Sequence, residues 1–239
     1  MNEPSVRPDL LQNYDTYYRD GDAEWRRLGA IDKARNVVEL RSAYAHASVL
    51  EIGAGEGSPL KQLADLKFAS DLSALEISSS GLETIRRKGI EGLRDARLFD
   101  GYKVPYEDEQ FDLIILSHVV EHVEHPRRLL AEASRVAKLV FVEVPVEDTL
   151  RMNKDYVFDS VGHINFYSPK TIRRLLQTSG LEVLAQRVAG SSRAVYLFQS
   201  GTKGVLTHMV KSAALAVAPS IAPHVFSYHS ALLCRRTAR

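Results

Sequence analysis

The chain has 239 residues, 45% of them hydrophobic, with 31 basic against 30 acidic side chains and a formal net charge of +1. That is enough chain for one well-buried α/β domain and short for two. The near-zero charge excludes a general electrostatic pull toward nucleic acid or an anionic membrane, and the single cysteine, Cys234, excludes an internal disulfide framework. No basic-then-apolar leader opens the chain, so a cytoplasmic protein is expected.

In chain order, the stretch from Asn13 to Asp20 is rich in tyrosine (Tyr14, Tyr17, Tyr18) and leads into a helix expected from about Ala23 to Ala45. Residues 1–45 read either as a lid or as a cap packed on the surface. The strand Ser48–Ile52 runs straight into Gly53, Gly55 and Gly57 and then a helix. Glycines at alternate positions let a backbone turn tightly or lie against a ligand without a Cβ in the way. A dinucleotide fingerprint would need glycine at position 58, where Ser58 stands. Glu76 closes the strand Ala74–Ile77 about 20 residues after the loop, where ribose hydroxyls are met in nucleotide-type sites. Asp100 and Gly101 follow the strand Ala96–Phe99.

The strands Phe111–Leu116 and Leu139–Val144 are apolar nearly throughout, as expected when both faces of a sheet are covered. Strands alternating with helical segments argue for parallel strands joined by helical crossovers. Three later stretches, Leu181–Val188, Ala194–Gln199 and Phe226–Cys234, are expected to be the last strands, the final two as an antiparallel pair. Residues 46–200 then form the core and residues 201–239 complete the same domain. The apolar stretch 201–223, broken by Pro219 and Pro223 and carrying His208 and Lys211, falls short of the ~20 uninterrupted apolar residues of a membrane span. It reads as a helix on the sheet edge or on a twin subunit, which makes a homodimer reasonable. The arginine pairs Arg26-Arg27, Arg86-Arg87, Arg127-Arg128 and Arg173-Arg174 read as solvated helix faces.

His118, Glu121 and His122 follow the fourth strand at i, i+3 and i+4, one face of a helix if the stretch is helical, and so are a candidate divalent-metal site. His163, in Gly162-His163-Ile164-Asn165-Phe166-Tyr167, is the first choice for a general base and His118 the second, because an imidazole takes up protons near neutrality. Ser168 and Pro169 are expected to cap and start the next helix. Glu143 reads either as a metal or acceptor contact or, by preference, as a buried acid bonded to loop backbone. The stretch Asp155-Tyr156-Val157-Phe158-Asp159 mixes rings and carboxylates as a wall for a hydroxylated ligand would.

The segment Glu51-Ile52-Gly53-Ala54-Gly55-Glu56-Gly57 resembles motif I of the Rossmann-like S-adenosylmethionine (SAM) dependent methyltransferases. Glu76, the Asp100 to Val104-Pro105-Tyr106 block, Phe111-Asp112, Ser117 to Val123 and Gly162 to Pro169 continue that resemblance over roughly residues 45 to 190. It implies a Rossmann-like, doubly wound, seven-stranded, mostly parallel α/β sheet whose last-inserted strand is antiparallel. SAM as co-substrate would contact Glu51, Gly53, Ala54, Gly55, Gly57, Glu76, Ile77, Asp100, Gly101, Ser117 and His118, with Tyr14 in a lid over it. Ser117 to Val123 is similar to the Glu-x-x-Glu-His segment with which quinone O-methyltransferases hold a divalent cation. Here His118 takes the place of the first glutamate, which shifts the expected ion from Mg²⁺ toward a softer one such as Mn²⁺. O-methylation of a small polyhydroxylated acceptor, favouring a carbohydrate or glycoside such as a mannoside, is the leading expectation. N- or C-methylation, a nicotinamide-dependent oxidoreductase and a non-catalytic SAM-binding module are the alternatives.

Overall fold

A computed structural model describes residues 23–40, 46–150, 152 and 162–237. Tyr14, the tyrosine-rich segment and the Asp155–Asp159 wall lie outside the described residues. In chain order the elements are α1 (Ala23–Glu39), β1 (Ser48–Ile52), α2 (Ser58–Asp65), β2 (Asp71–Glu76), α3 (Ser79–Arg87), β3 (Leu93–Leu98), β4 (Phe111–Ser117), a 3₁₀ turn (Val120–His122), α4 (Pro126–Val136), β5 (Ala137–Val146), α5 (Pro169–Thr178), β6 (Leu181–Ala189), α6 (Arg193–Val217), α7 (Ala222–Val225) and β7 (Tyr228–Arg236).

The seven strands form one sheet in the order β3-β2-β1-β4-β5-β7-β6. Strands β1 to β5 are parallel, and β7 inserts antiparallel to both β5 and β6. This is the expected fold, with one correction in its make-up. Ala194–Gln199, expected as a strand, lies inside α6, whose first turn is capped by Ser192 accepting from the Val195 amide. An apolar run of that length fits either element, and the cap decides. Beside β7, the place expected for Ala194–Gln199 is taken by β6, so β7 is antiparallel to β5 on one side and β6 on the other.

Alternate residues of the central strands feed two cores. Leu50, Ile114, Leu116, Val140, Val142 and Leu232 pack on one face with α4 and α5. Val49, Leu113, Ile115, Phe141 and Leu233 pack on the other with Val37 of α1 and Leu60 and Leu63 of α2. Burial on both faces is why these strands show no polar alternation. Asp112, at the opening of β4, is a structural tie. Its carboxylate accepts from the amides of Ala47 and Ser48 and pairs with Lys138, which holds its pKa down to about 2. Ser168 caps α5 in a capping box with Thr171, with Pro169 in the first turn, as the sequence predicts.

Among the described residues no helix is long and apolar enough to cross a membrane. Chain direction reverses between β1, which leads outward to β2, and β4 on its other side. Ligands of doubly wound sheets bind in the crevice at the carboxyl ends of the strands flanking such a switch point. The Gly53–Gly57 turn and the His118–His122 turn leave those two strand ends.

Candidate functional site

Gly53, Gly55 and Gly57 all have positive φ (69°, 59° and 79°), a region that favours glycine because a side chain there crowds its own backbone. A Cβ on Gly53 would stand 2.6 Å from Val119 Cγ2, so the turn is pressed against the segment that leaves β4. Glu76 holds the turn from the side: one carboxylate oxygen accepts from the Gly55 amide at 2.7 Å and the other from the Ser78 amide at 3.0 Å. The expected motif acid and the expected glycine turn are thus bonded to each other.

A cavity of about 370 Å³ opens beside this turn. Its lining includes Glu51, Gly53, Ala54, Gly55, Ser117 and His118 from the expected cofactor set, and it continues past His122, His163 and His229. Gly57, Glu76, Ile77, Asp100 and Gly101 of that set are not part of its lining, and Asp100 binds its own turn, accepting from the amides of Tyr102 and Lys103 at 2.8 and 2.7 Å. Helix α1 forms the opposite wall with Arg26, Gly29, Asp32 and Lys33. Arg26, read from sequence as a solvated cation, is corrected by this placement. Its side chain is only 16% exposed, its Nε is 3.8 Å from Glu56 Oε1, and its Nε and Nη1 are buried without a hydrogen-bond partner.

Glu51 sits at the end of β1, 2% exposed, with Oε2 unpartnered. Burial pushes its carboxyl up to about 8, against the opposing pull of the Lys33 charge. Such a group stays protonated in the fold while the unfolded chain releases its proton from about 4.5 upward, so the folded state binds more protons in between. The expected result is that the ligand-free protein loses thermal stability as pH rises from about 5 to about 8, by an amount on the order of a few kcal/mol. Thermal unfolding of Glu51→Gln across that range checks it: the slope should flatten and the variant should be the more stable form at the alkaline end.

The histidines lie where β4, β5, β7 and the 162–167 segment meet. His118 is not on a helix; it has φ +58 directly after β4, anchored by its amide to the Glu143 carbonyl at 2.9 Å, and the 3₁₀ turn starts after it. The expected helical trio of His118, Glu121 and His122 is therefore rearranged. His118 Nδ1 is 3.4 Å and His122 Nε2 4.0 Å from Glu121 Oε1. The donor atoms group as two trios, His118 with Glu143 and His229, and Glu121 with His122 and His163, each within 4.8 Å. Glu121 is fully buried with neither carboxylate oxygen hydrogen-bonded, and burial pushes it up to about 8. Burial also drives His118 well below the usual histidine value and His229 to about 3, so both rings are neutral.

His163 Nδ1 lies 2.7 Å from Glu147 Oε2, a carboxylate–imidazole pair that fixes the orientation of the ring. Its loop is stitched to the 3₁₀ turn by the Asn165 amide group, which donates to the Val123 carbonyl at 2.8 Å, and by the Ile164 and Asn165 amides on the Glu121 carbonyl. Sequence reading named His163 and His118 as candidate bases, and the structure brings both to the lining of the cavity. Sequence reading missed Asn36, Lys33 and His229. A polar stripe at Gly29, Asp32, Lys33 and Asn36, spaced three and four apart on α1, was the available signal for the first two. His229 had none.

A family described as a methyltransferase domain matches residues 23–186. The chain belongs to the SAM-dependent methyltransferase family. The chain is 31% identical over 138 residues to a mitochondrial ubiquinone biosynthesis O-methyltransferase of Candida albicans, covering 54% of this chain and 37% of that protein. It is 31% identical over 114 residues to a demethylmenaquinone methyltransferase of Renibacterium salmoninarum, covering 48% and 43%. The chain thus spans well under two thirds of the length of these relatives. Its fold matches a SAM-dependent methyltransferase of Aquifex aeolicus (TM-score 0.59, 15% identity, 97% and 100% of the chains). It also matches geranyl diphosphate C-methyltransferase of Streptomyces coelicolor, a complex with Mg²⁺, geranyl diphosphate and S-adenosyl-L-homocysteine (0.65, 12%, 98% and 100%).

Proposed function

We propose that this methyltransferase uses SAM to methylate a hydroxyl of a small polyhydroxylated acceptor, a carbohydrate or glycoside such as a mannoside, with a divalent cation assisting. The observation that carries the reading is that one cavity is lined both by the glycine turn and by His163, whose ring is paired with Glu147. SAM supplies an electrophilic methyl group on sulfur. The residues present fit it. Glu51 and Arg26 line one cavity, with Glu51 Oε2 and Arg26 Nε and Nη1 buried without a hydrogen-bond partner, and offer a carboxyl and a guanidinium to the two charges of an amino-acid moiety; Glu76, bonded to the Gly55 amide of the glycine turn, is proposed for the ribose hydroxyls. Ala54 and Ser117 complete the wall on that side, and Ile77 and Gly101 are proposed beside the adenine end.

In the reaction the acceptor oxygen bonds to the methyl carbon as the carbon–sulfur bond breaks, leaving S-adenosylhomocysteine, and the hydroxyl proton passes to His163 Nε2. Placement of the acceptor against the methyl group supplies much of the acceleration. Replacing His163 by alanine is expected to lower kcat by about 10²- to 10⁴-fold for a hydroxyl acceptor while S-adenosylhomocysteine affinity stays within a few-fold. Isothermal titration together with turnover of the variant checks this. An N-acceptor would instead leave turnover nearly intact, since an amine can release its proton after transfer.

A second reading is favoured by the relatives named above, one named for ubiquinone biosynthesis and one for demethylmenaquinone: a hydroxylated quinone precursor in place of the sugar. Labelled SAM offered with separate pools of glycosides, phenols and quinols, with and without Mn²⁺, decides between them. Label appearing in glycosides supports the carbohydrate acceptor, label in quinols or phenols alone replaces it, and label in none of the three pools removes the O-methyltransferase reading.

A further inference from the structure

β5 lies between β4 and β7, and its register sets Glu143 opposite Ser117 on one side while Pro145 faces His229 on the other. The carboxylate of a fully buried residue is thereby placed between the ring of His118, one residue beyond β4, and the ring of His229. His118 Nε2 is 3.8 Å and His229 Nδ1 3.6 Å from the same oxygen, Glu143 Oε1. These separations exceed a hydrogen bond. They lie a few tenths of an ångström above the spacing of about 3.0–3.4 Å that adjacent donors adopt around an ion held at about 2.1 Å.

The surroundings orient each donor. The Asn36 side-chain amide donates to Glu143 Oε1 at 2.9 Å and is itself held by Arg187 at 2.6 Å. The Glu121 carboxylate sits 3.4 Å from His118 Nδ1, on the far side of the ring from Nε2. His118 Nε2 is buried and has no hydrogen-bond partner. A carboxylate behind an imidazole whose other nitrogen points at a second carboxylate is the outer-shell arrangement of metal-ligating histidines.

We propose that His118, Glu143 and His229 bind one divalent transition-metal ion of the Zn²⁺ or Mn²⁺ class, with Glu121 orienting His118 from outside the coordination sphere. Two imidazoles and one carboxylate suit such an ion, whereas Mg²⁺ prefers an oxygen set with several waters. The site deepens the metal-assisted reading above and rests on it only for the ion's use in catalysis. It assigns two donors, Glu143 and His229, that the segment after β4 does not contain, and it leaves His122 and His163 to the acceptor.

The test is titration of the purified full chain with Mn²⁺, followed by electron paramagnetic resonance, and with Zn²⁺ and Mg²⁺ by calorimetry. S-adenosylhomocysteine binding to every variant serves as the check of folding and of the methyltransferase reading. The expected result is one Mn²⁺ or Zn²⁺ per chain, Mg²⁺ binding far more weakly, and a loss of more than about 100-fold in metal affinity in His229→Ala. Glu143→Gln should give a comparable loss, and His163→Ala should change affinity by less than about threefold. His229→Asn, which keeps a polar side chain at that position, replaces the alanine variant if that one does not bind S-adenosylhomocysteine. No metal binding by the unmodified chain overturns the site, as does metal affinity that survives in His229→Ala but is lost in His163→Ala. Loss of S-adenosylhomocysteine binding by the unmodified chain overturns the cofactor reading instead.

Discussion

Glu76→Ala is expected to weaken S-adenosylhomocysteine binding by on the order of 100-fold or more, with the fold retained. The side chain has two tasks that alanine removes together. It holds the Gly55 and Ser78 amides at 2.7 and 3.0 Å, setting the shape of the glycine turn, and it is the carboxylate proposed above for two vicinal hydroxyls. A hydrogen bond to a charged group contributes about 1.5–3 kcal/mol, so loss of two such bonds to the ligand corresponds to a factor of ~10² or more. The strand it ends is paired on both sides, to β1 and β3, so backbone packing does not depend on it. Calorimetric titration gives the affinity and circular dichroism the fold. Glu76→Gln keeps the size but loses the charge, and should fall between the two. An alanine variant that binds as tightly as the unmodified chain would assign the ribose contact to another residue.

Gly53→Ala is expected to cost about 2–4 kcal/mol of stability and to abolish measurable cofactor binding. Two effects add at this position. A φ of +69° costs an alanine about 1–2 kcal/mol on its own, and its Cβ would lie 2.6 Å from Val119 Cγ2, closer than carbon atoms can approach. Val119 leads directly into the histidine-bearing turn, so relief of the clash displaces both walls of the cavity. The double variant Gly53→Ala, Val119→Ala separates the effects. It should recover the overlap component and keep the backbone component, leaving a deficit of about 1–2 kcal/mol by urea unfolding. Full recovery would mean that backbone strain contributes nothing at the turn.

How much of this molecule was legible in its sequence varies from residue to residue, and the reason is separation along the chain. The central strands were visible because burial on both faces demands unbroken apolar runs, and Leu139–Val144 could hardly be anything else. The glycine turn and Glu76 were visible because they are bound to each other across 21 residues of a single strand-helix-strand unit. Ala194–Gln199 misled because a short apolar run fits both a strand and a helix, and only the Ser192 cap and the packing of α6 choose. Arg26 misled because an arginine pair on a helix is usually solvated, and nothing local says that a cavity lies beneath it.

The sequence by itself determined the α/β class, the glycine turn at the end of β1 and the order of the motif acids, all of which rest on hydrophobic period and on residue types with few backbone alternatives. Only the tertiary structure decided which donors share a site. Asn36 reaches Glu143 across 107 residues, and His229 reaches it through the antiparallel insertion of β7 beside β5. A one-residue change in that register would turn His229 to the opposite face of the sheet, because side chains alternate along a strand. Pairings of that kind are set by how whole elements pack, a choice made by the summed burial of two cores and carried by no local signal.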